Sequence, residues 1–268
     1  MKSNLRGAMK KYFIAVIALV CGTTMGYADG EKPAIELSSS SDISTQVKKT
    51  RTLVAQITQE NGEVLKEFDR FSDLLKQANE EEKSLNNSDV EKILKGVEFA
   101  ADKHRLQTRK NKEKTPYIAH PIGVAENLMK TGNVRDASMI IGALLHDTLE
   151  DTQTTFSEIE KAFGKDVANY VKELSCDKGL THSEKNRRQV IEASHKSAGA
   201  AQIKLADKLA NLSELTHNPP SSWTQERVDQ YYEWAQSVID RLPAANPALK
   251  KAVDDLVDQY WEKQDSKS

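Results

Sequence analysis

The sequence predicts an all-α protein, and three observations support that fold class. Apolar residues recur at intervals of three and four along most of the chain, as they do on the buried face of a helix. No stretch alternates convincingly at the period of two that a half-buried strand would show. The composition is that of a helical protein with a sizeable core, since 29% of the 268 residues are charged and only 12 are glycine and 7 proline.

Residues 1–28 differ from the rest of the chain and predict a secretory signal peptide. A basic segment precedes the apolar run Tyr12–Cys21, and a glycine and an alanine lie at the −3 and −1 positions of a cut after Ala28. Translation from either Met1 or Met9 would keep a basic start. We expect an exported protein, periplasmic or secreted, with no membrane span after cleavage. An uncleaved anchor and a lipid on the cysteine that ends the apolar run are the alternatives.

Residues 29–44 are polar and predict a flexible linker, which an amphipathic helical extension follows over residues 45–85. The apolar positions of the extension recur at three and four, which indicates one helix, or two helices broken near Asn61 and Gly62. We expect the stretch 45–83 to pack on the domain or to self-associate with a second copy of the chain. A specific protein partner for this stretch is the alternative.

A helical domain is expected over residues 86–262, with a short tail at 263–268. Ser88 and Glu91 have the spacing of a capping box, which would start the first helix of the domain. The predicted helices cover about residues 88–109, 122–130, 135–149, 155–163, 165–174, 184–194, 198–215, a helix capped at Ser222 or Thr224, and 247–261.

The helix predicted over residues 135–149 is apolar on nearly every side, which places it in the core. It carries His146 and Asp147 side by side, and Glu150 and Asp151 follow four residues later. On one helix this spacing would stack His146 over Glu150 and Asp147 over Asp151. An unpaired buried carboxylate is costly, so the cluster requires a cation, a metal or strong hydrogen-bond donors.

His120 and Asp207 are the candidate partners of the His146–Asp147 pair. His120 lies where a loop meets a helix, and Asp207 is an acid in a second largely apolar helix. Each residue alone has a simpler explanation, namely a satisfied core histidine or an aspartate paired with a neighbouring lysine. Together the two histidines and two aspartates favour a single metal, and this donor set suits Mn, Fe, Co or Zn better than Ca or Mg.

These residues resemble the HD superfamily of metal-dependent phosphohydrolases, which is named for the doublet at His146 and Asp147. Over about residues 88–262 the chain is similar to the hydrolase domain of the RelA/SpoT alarmone enzymes and to the small stand-alone SpoT-homologue hydrolases of metazoans. The motifs that carry the resemblance are Lys103–Arg105, Arg109–Lys110, Pro116–Pro121, Leu144–Thr152, Lys204–Asn211 and Arg227–Trp234. The resemblance implies an HD-domain helical bundle preceded by the amphipathic extension.

The resemblance also implies the chemistry. One Mn²⁺ would be held by His120, His146, Asp147 and Asp207. The reaction would remove the 3′-pyrophosphate of guanosine 3′,5′-bis(diphosphate) (ppGpp) or of the pentaphosphate, giving GDP or GTP and pyrophosphate. Glu150 and Asp151 match the acid pair that orients and deprotonates the attacking water.

Seven residues are expected on the substrate side of the site. Lys208 and Asn211 lie one position and one turn beyond Asp207, and His182 stands near a place where the family often has a lysine. A neutral histidine would bind a polyphosphate more weakly than a lysine does. The full set is Arg109, Lys110, His182, Lys208, Asn211, Arg227 and Tyr231.

Two other functions stay open beside ppGpp hydrolysis. The same site could remove the 2′-phosphate of NADPH, or the domain could be an inactive nucleotide-binding module that acts through the 45–83 stretch. Nothing in the chain resembles an alarmone synthetase. The formal net charge of −2 gives no support to a nucleic-acid binder.

Overall fold

The computed structural model describes residues 42–81 and 84–266, and its regular elements over those ranges are helices. In chain order they are α1 Ile43–Ile57, α2 Gly62–Glu80, α3 Asn87–Lys103, α4 Ala119–Lys130, α5 Ala137–Leu145, α6 Thr148–Asp151, α7 Phe156–Phe163, α8 Lys165–Leu174, α9 His182–Glu192, a 3₁₀ turn Ala193–His195, α10 Ala198–His217, α11 Gln225–Ile239 and α12 Pro247–Asp265. The all-α prediction is confirmed. The predicted signal peptide and most of the predicted linker lie outside the described residues.

Helix α5 lies at the centre of the core, in contact with α3, α4, α8 and α10. Its residues Ile140 and Leu144 are completely buried. Gly142 allows the neighbouring helices to approach closely, because a Cβ there would lie 3.1 Å from Ile203 Cδ1 and 3.2 Å from Tyr170 Cβ. The apolar helix therefore has the central position that its sequence indicates.

The helix predicted over residues 135–149 is not continuous, and this part of the prediction is wrong. Helix α5 ends at Leu145, and a separate one-turn helix begins at Thr148. Two side chains take the carbonyl oxygens of the last turn: His146 Nδ1 lies 2.8 Å from the oxygen of Ala143, and Thr148 Oγ1 donates to that of Leu145 at 2.7 Å. The helix is interrupted between Leu145 and Thr148, but the backbone N–H of Asp151 donates to the carbonyl oxygen of Asp147 at 2.8 Å, so the predicted one-turn spacing of these two acids is retained.

The first helix of the domain is also shorter than predicted, since α3 ends at Lys103 and not near 109. The residues that follow form a loop, which is closed by an antiparallel bridge between Thr108 and Pro116. Tyr117 donates its backbone N–H to the oxygen of Gln107 at 2.9 Å, which is one of the two hydrogen bonds that form this bridge. This closed segment, called the 107–117 loop below, leads directly into α4.

The stretch predicted as an amphipathic extension forms two helices, α1 and α2. They are separated by Gln59 and Glu60, whose φ angles are positive, and Asn61 caps the start of α2. Helix α1 packs on α3, and α2 packs on α4. The apolar face is covered by the domain, with complete burial of Val54, Val64, Phe68, Phe71 and Leu75.

None of the described helices combines the length and apolar character that a membrane crossing requires. At the other end of the chain, α12 packs on α10 and continues to Asp265, past the start of the predicted tail at 263.

Candidate active site

The four predicted metal ligands come together from α4, α10 and the break after α5. His146 Nε2 lies 2.9 Å from Asp147 Oδ2 and 3.7 Å from Asp207 Oδ1. His120 Nε2 lies 3.3 Å from Asp207 Oδ1 and 3.8 Å from Asp147 Oδ2. Two imidazole nitrogens and two carboxylate oxygens therefore face one small volume.

The hydrogen bonds of His146 indicate which nitrogen faces that volume. Its Nδ1 lies against the carbonyl oxygen of Ala143, which can only accept, so Nδ1 carries the proton. Nε2 then presents a lone pair, and it is buried without a hydrogen-bond partner among the described residues. Its 2.9 Å approach to Asp147 lacks hydrogen-bond geometry. Two facing lone pairs repel each other unless a cation lies between them, so the donor set fits a divalent metal.

Electrostatics in the cluster agree with a cation site. Burial opposes charge on both imidazoles, and for His120 burial and the nearby Arg109 lower the pKa to about 4. For His146 the carboxylate of Asp147 outweighs burial and raises the pKa of the ring. A neutral His120 offers its nitrogen lone pair, while the raised pKa of His146 reports a negative potential that would attract a positive ion.

Asp207 uses its two oxygens differently. Oδ1 faces the histidines and accepts a hydrogen bond from Asn211 Nδ2 at 2.6 Å. Oδ2 lies 3.5 Å from the ammonium groups of both Lys204 and Lys208. Both lysines are buried, and burial lowers the pKa of Lys208 to about 8. Asp207 is thus a buried carboxylate whose charge is compensated from behind.

Asp147 is held by a tyrosine from the 107–117 loop. The hydroxyl of Tyr117 donates to Asp147 Oδ2 at 2.5 Å, and the ring of Tyr117 packs on the imidazoles of His104 and His120. Burial and the adjacent Asp147 raise the pKa of the Tyr117 hydroxyl, which therefore stays a donor. The loop and the ligand set are in direct contact through this residue.

The two acids after the doublet have unequal surroundings. Both oxygens of Glu150 are engaged: Lys185 Nζ lies 2.8 Å from Oε1, and the backbone N–H of Cys176 donates to Oε2 at 2.8 Å. Asp151 has no side-chain hydrogen bond within the described ranges. Partial burial, with the charges of Asp147 and Glu150, raises the pKa of Asp151 to about 6. Of the two, Asp151 is the one placed to accept a proton near neutral pH.

A cavity of about 290 Å³ opens beside the ligand set. Six of the predicted residues line it: Arg109, Lys110, Asp151, His182, Asn211 and Tyr231. Arg227 lies just outside, in a smaller recess of about 90 Å³ that His182 and Tyr231 also border. Cationic groups at the mouth and aromatic faces inside suit an anionic, planar ligand.

Lys208 is not among the residues that line this cavity. Its ammonium group lies 4.1 Å from the centre of the Trp234 ring, and the side chain is buried behind Asp207. Successive residues of a helix point about 100° apart, so a residue next to a ligand in sequence faces another direction. The expected substrate contact by Lys208 is therefore replaced by a contact with Asp207.

Several residues of the site were missed from the sequence. Trp223 lines the cavity, packs against Tyr231 with its ring tilted by 49°, and lies under the guanidinium of Arg227; its spacing of four from Arg227 was a usable signal. Lys185 gave no such signal, because its partner Glu150 is 35 positions earlier in the sequence. Glu214 pairs with Arg109 at the cavity wall and belongs to the same helix as Asp207.

Comparisons with known proteins identify the family to which this domain belongs. The HD domain family matches residues 96–233. A Xenopus tropicalis protein named guanosine-3′,5′-bis(diphosphate) 3′-pyrophosphohydrolase MESH1 is 46% identical over 170 residues, which are 63% of this chain and 95% of the relative. The human protein of that name is 45% identical over 172 residues, 64% of this chain and 96% of the relative.

A solved structure agrees with the sequence relatives. It is a metazoan ortholog of SpoT that is described as hydrolysing ppGpp, and it superimposes with a TM-score of 0.62 at 43% identity, over 63% of this chain and 95% of the other. The HD match starts at residue 96, so α1 and α2 precede it. The chain belongs to the HD-domain family, in the group that includes the RelA/SpoT-type hydrolases.

Proposed function

We propose that this protein hydrolyses ppGpp and its pentaphosphate form to GDP or GTP and pyrophosphate, with Mn²⁺ as its metal. The observation that carries the proposal is the buried Nε2 of His146, which faces the carboxylates of Asp147 and Asp207 and has no hydrogen-bond partner in the part of the chain that the structure describes. The relatives that share the domain are named as ppGpp hydrolases, which supports the substrate.

His120, His146, Asp147 and Asp207 would hold the metal. A divalent cation bound there would polarise a phosphoryl oxygen and make a water molecule more acidic. The protein keeps the four ligands in place by hydrogen bonds behind them: Ala143 fixes the ring of His146, Tyr117 fixes Asp147, and Asn211 fixes Asp207. These bonds hold the ligand atoms in position before the metal arrives.

Asp151 would take the proton of the attacking water. Its carboxylate borders the cavity, and a pKa of about 6 leaves it ionised but basic at neutral pH. Glu150 would act indirectly, through its effect on Asp151, since Lys185 and the N–H of Cys176 already bind its oxygens. The predicted acid pair therefore divides into a proton acceptor and a neighbour that raises its pKa.

The cavity walls would bind the nucleotide. Arg109 and Lys110 supply positive charge for the phosphates at one wall, and His182 lies at the mouth. Trp223 and Tyr231 offer aromatic faces on which a purine base can stack. Asn211 links the wall to the ligand set, because it donates to Asp207 and accepts from Arg109 at 3.0 Å.

A product assay tests this function. Residues 29–268, purified and loaded with Mn²⁺, should release pyrophosphate from ppGpp, and EDTA should abolish the release. NADPH in a parallel reaction distinguishes the other enzyme hypothesis, because removal of its 2′-phosphate gives orthophosphate. Metal-loaded protein that turns over neither nucleotide would favour an inactive binding module. Substituting Zn²⁺, Fe²⁺ or Co²⁺ for Mn²⁺ ranks the metals.

We also propose that the protein is exported. The support is the sequence of residues 1–28, with its basic start, short apolar run and small residues before Ala28. Amino-terminal sequencing of the mature protein should begin at Asp29, and cell fractionation should find it outside the cytoplasm. A mature protein that begins at Met1 or Met9 would overturn the proposal.

A further inference from the structure

Helix α2 presents a polar stripe to the hydrolase domain. Glu63, Glu67 and Arg70 recur at i, i+4 and i+7, so they lie on one face. Glu67 packs against the helix that carries His120, since a Cβ on Gly123 would lie 3.2 Å from its Oε1. Arg70 pairs with Glu67 and with Glu126 of the same helix. Glu63, at the start of α2, makes a different contact.

Glu63 reaches the 107–117 loop. Thr115 donates its hydroxyl hydrogen to Glu63 Oε2 at 2.7 Å. Thr115 is only 1% exposed, so without Glu63 this hydrogen would have to find another acceptor or lose a hydrogen bond. The same hydroxyl accepts from Asn111 Nδ2 at 3.0 Å, and the backbone N–H of Thr115 donates to Asn111 Oδ1 at 3.1 Å. The contact thus joins the exposed Glu63 to the buried pair of Asn111 and Thr115.

That hydrogen-bond network is bonded to Arg109, a residue of the cavity wall. The backbone N–H of Arg109 donates to the carbonyl oxygen of Thr115 at 2.8 Å. The guanidinium of Arg109 then binds Glu214 and Asn211. A path of direct hydrogen bonds therefore runs from Glu63 through Thr115 and Arg109 to the wall of the cavity. Glu63 does not line that cavity, and it belongs to a helix that precedes the family match.

We propose that Glu63 is a positioning residue for substrate binding, through which the N-terminal helix fixes the 107–117 loop in its binding-competent form. The kinetic part of this inference rests on the proposed hydrolase function. Loss of the contact lets the loop sample other conformations, so the fraction of protein ready to bind falls. Binding then weakens, while the chemistry at His120, His146 and Asp151 is unchanged once substrate is bound.

The kinetic test uses the full chain with Mn²⁺ and ppGpp. Glu63→Ala should raise KM about three- to tenfold, the size expected for the net loss of one ordinary intramolecular hydrogen bond, and leave kcat within about twofold. Glu63→Gln keeps an acceptor oxygen and should restore most of the affinity. Asp73→Ala removes an exposed acid from the same helix and should change neither constant. A fall in kcat with no change in KM would overturn the proposal.

A second test does not depend on turnover. Hydrogen exchange of the backbone amides of Arg109 and Tyr117 should be faster in Glu63→Ala than in the unaltered protein, with no change in the amides of α5. Thr115→Val should have a similar effect, and the double variant should show little more than either single one. Unchanged exchange would exclude the positioning role, even in a protein that hydrolyses ppGpp. Altered exchange in a protein without ppGpp turnover would reject the function and keep the structural link.

Discussion

The ligand set and the nucleotide cavity are adjacent, but their charged side chains differ in solvent exposure. At the ligand set, Asp207 is buried and paired with the buried Lys204 and Lys208. Around the cavity, Lys110 and His182 are exposed to solvent. Buried charges depend strongly on their partners, whereas exposed ones are screened by salt. We therefore expect substitutions at the ligand set to affect folding and catalysis together, and those at the cavity mouth to affect binding alone.

The largest effect is expected for Asp207→Ala, which would leave two buried lysines without their acid. It should abolish activity and lower the free energy of unfolding by about 3–5 kcal/mol. Asp147→Ala should also abolish activity but destabilise less, by about 1 kcal/mol, because its side chain is 24% exposed and has no lysine behind it. Urea unfolding of both variants is the measurement. Equal destabilisation would remove the distinction between the two aspartates.

The next effect concerns the proton acceptor. Asp151→Asn should lower kcat about 10²- to 10⁴-fold with little change in KM. The carboxylate of Asp151 must be ionised to accept a proton, and its pKa is raised to about 6. Activity of the unaltered protein should therefore be full above that value and fall as the pH decreases through it. A pH profile of kcat from 4.5 to 8 would show this fall, called the acid limb below. A flat profile would exclude Asp151 as the base.

A smaller effect is expected at Lys185, which pairs with Glu150. Its positive charge opposes the rise in the pKa of Asp151, and it holds Oε1 of Glu150. Lys185→Ala should lower kcat about tenfold at pH 6 and move the acid limb to higher pH. Arg187→Ala, two positions along and exposed, is the matched control and should leave the limb in place. A limb that does not move would assign Lys185 a purely structural role.

The smallest effect belongs to the cavity mouth. His182→Lys places a full positive charge where a histidine now stands with a pKa lowered by partial burial and by Arg227. KM for ppGpp should fall about two- to fivefold at low salt, and the gain should shrink as ionic strength rises. The variant His182→Ser provides the uncharged control. A decrease in KM that persists at high salt would contradict the expectation that salt screens the exposed charges at the cavity mouth.

The sequence was sufficient to predict the ligand set but not its surroundings. An aspartate in an apolar helix is conspicuous because its burial needs compensation, and this applies to both Asp147 and Asp207. The break between Leu145 and Thr148 was not predictable from apolar spacing, since two side-chain hydrogen bonds to the last carbonyls produce it. The engagement of Glu150 was missed for a different reason. Its partners come from other elements, and no local pattern specifies them.

The N-terminal helices show a similar division. Their apolar period left open one helix or two helices broken near Asn61 and Gly62, and the structure has two helices, with the second beginning at Gly62. Their polar stripe could not be interpreted without the fold, because Glu63 and Thr115 are 52 positions apart in the sequence. Periodicity identifies which face of a helix is buried, whereas the polar contacts that this face makes depend on the tertiary arrangement.

The two lysines that pair with Asp207 affect the net charge that the metal-bound site would present to the product pyrophosphate. Their positive charges offset the negative charge of Asp207, so within the ligand set Asp147 is the carboxylate left to offset the charge of a bound ion. A divalent cation would then keep a net positive charge toward the cavity. Pyrophosphate would have to leave against that attraction, so we expect product inhibition by pyrophosphate, with departure of the product limiting turnover at saturating substrate.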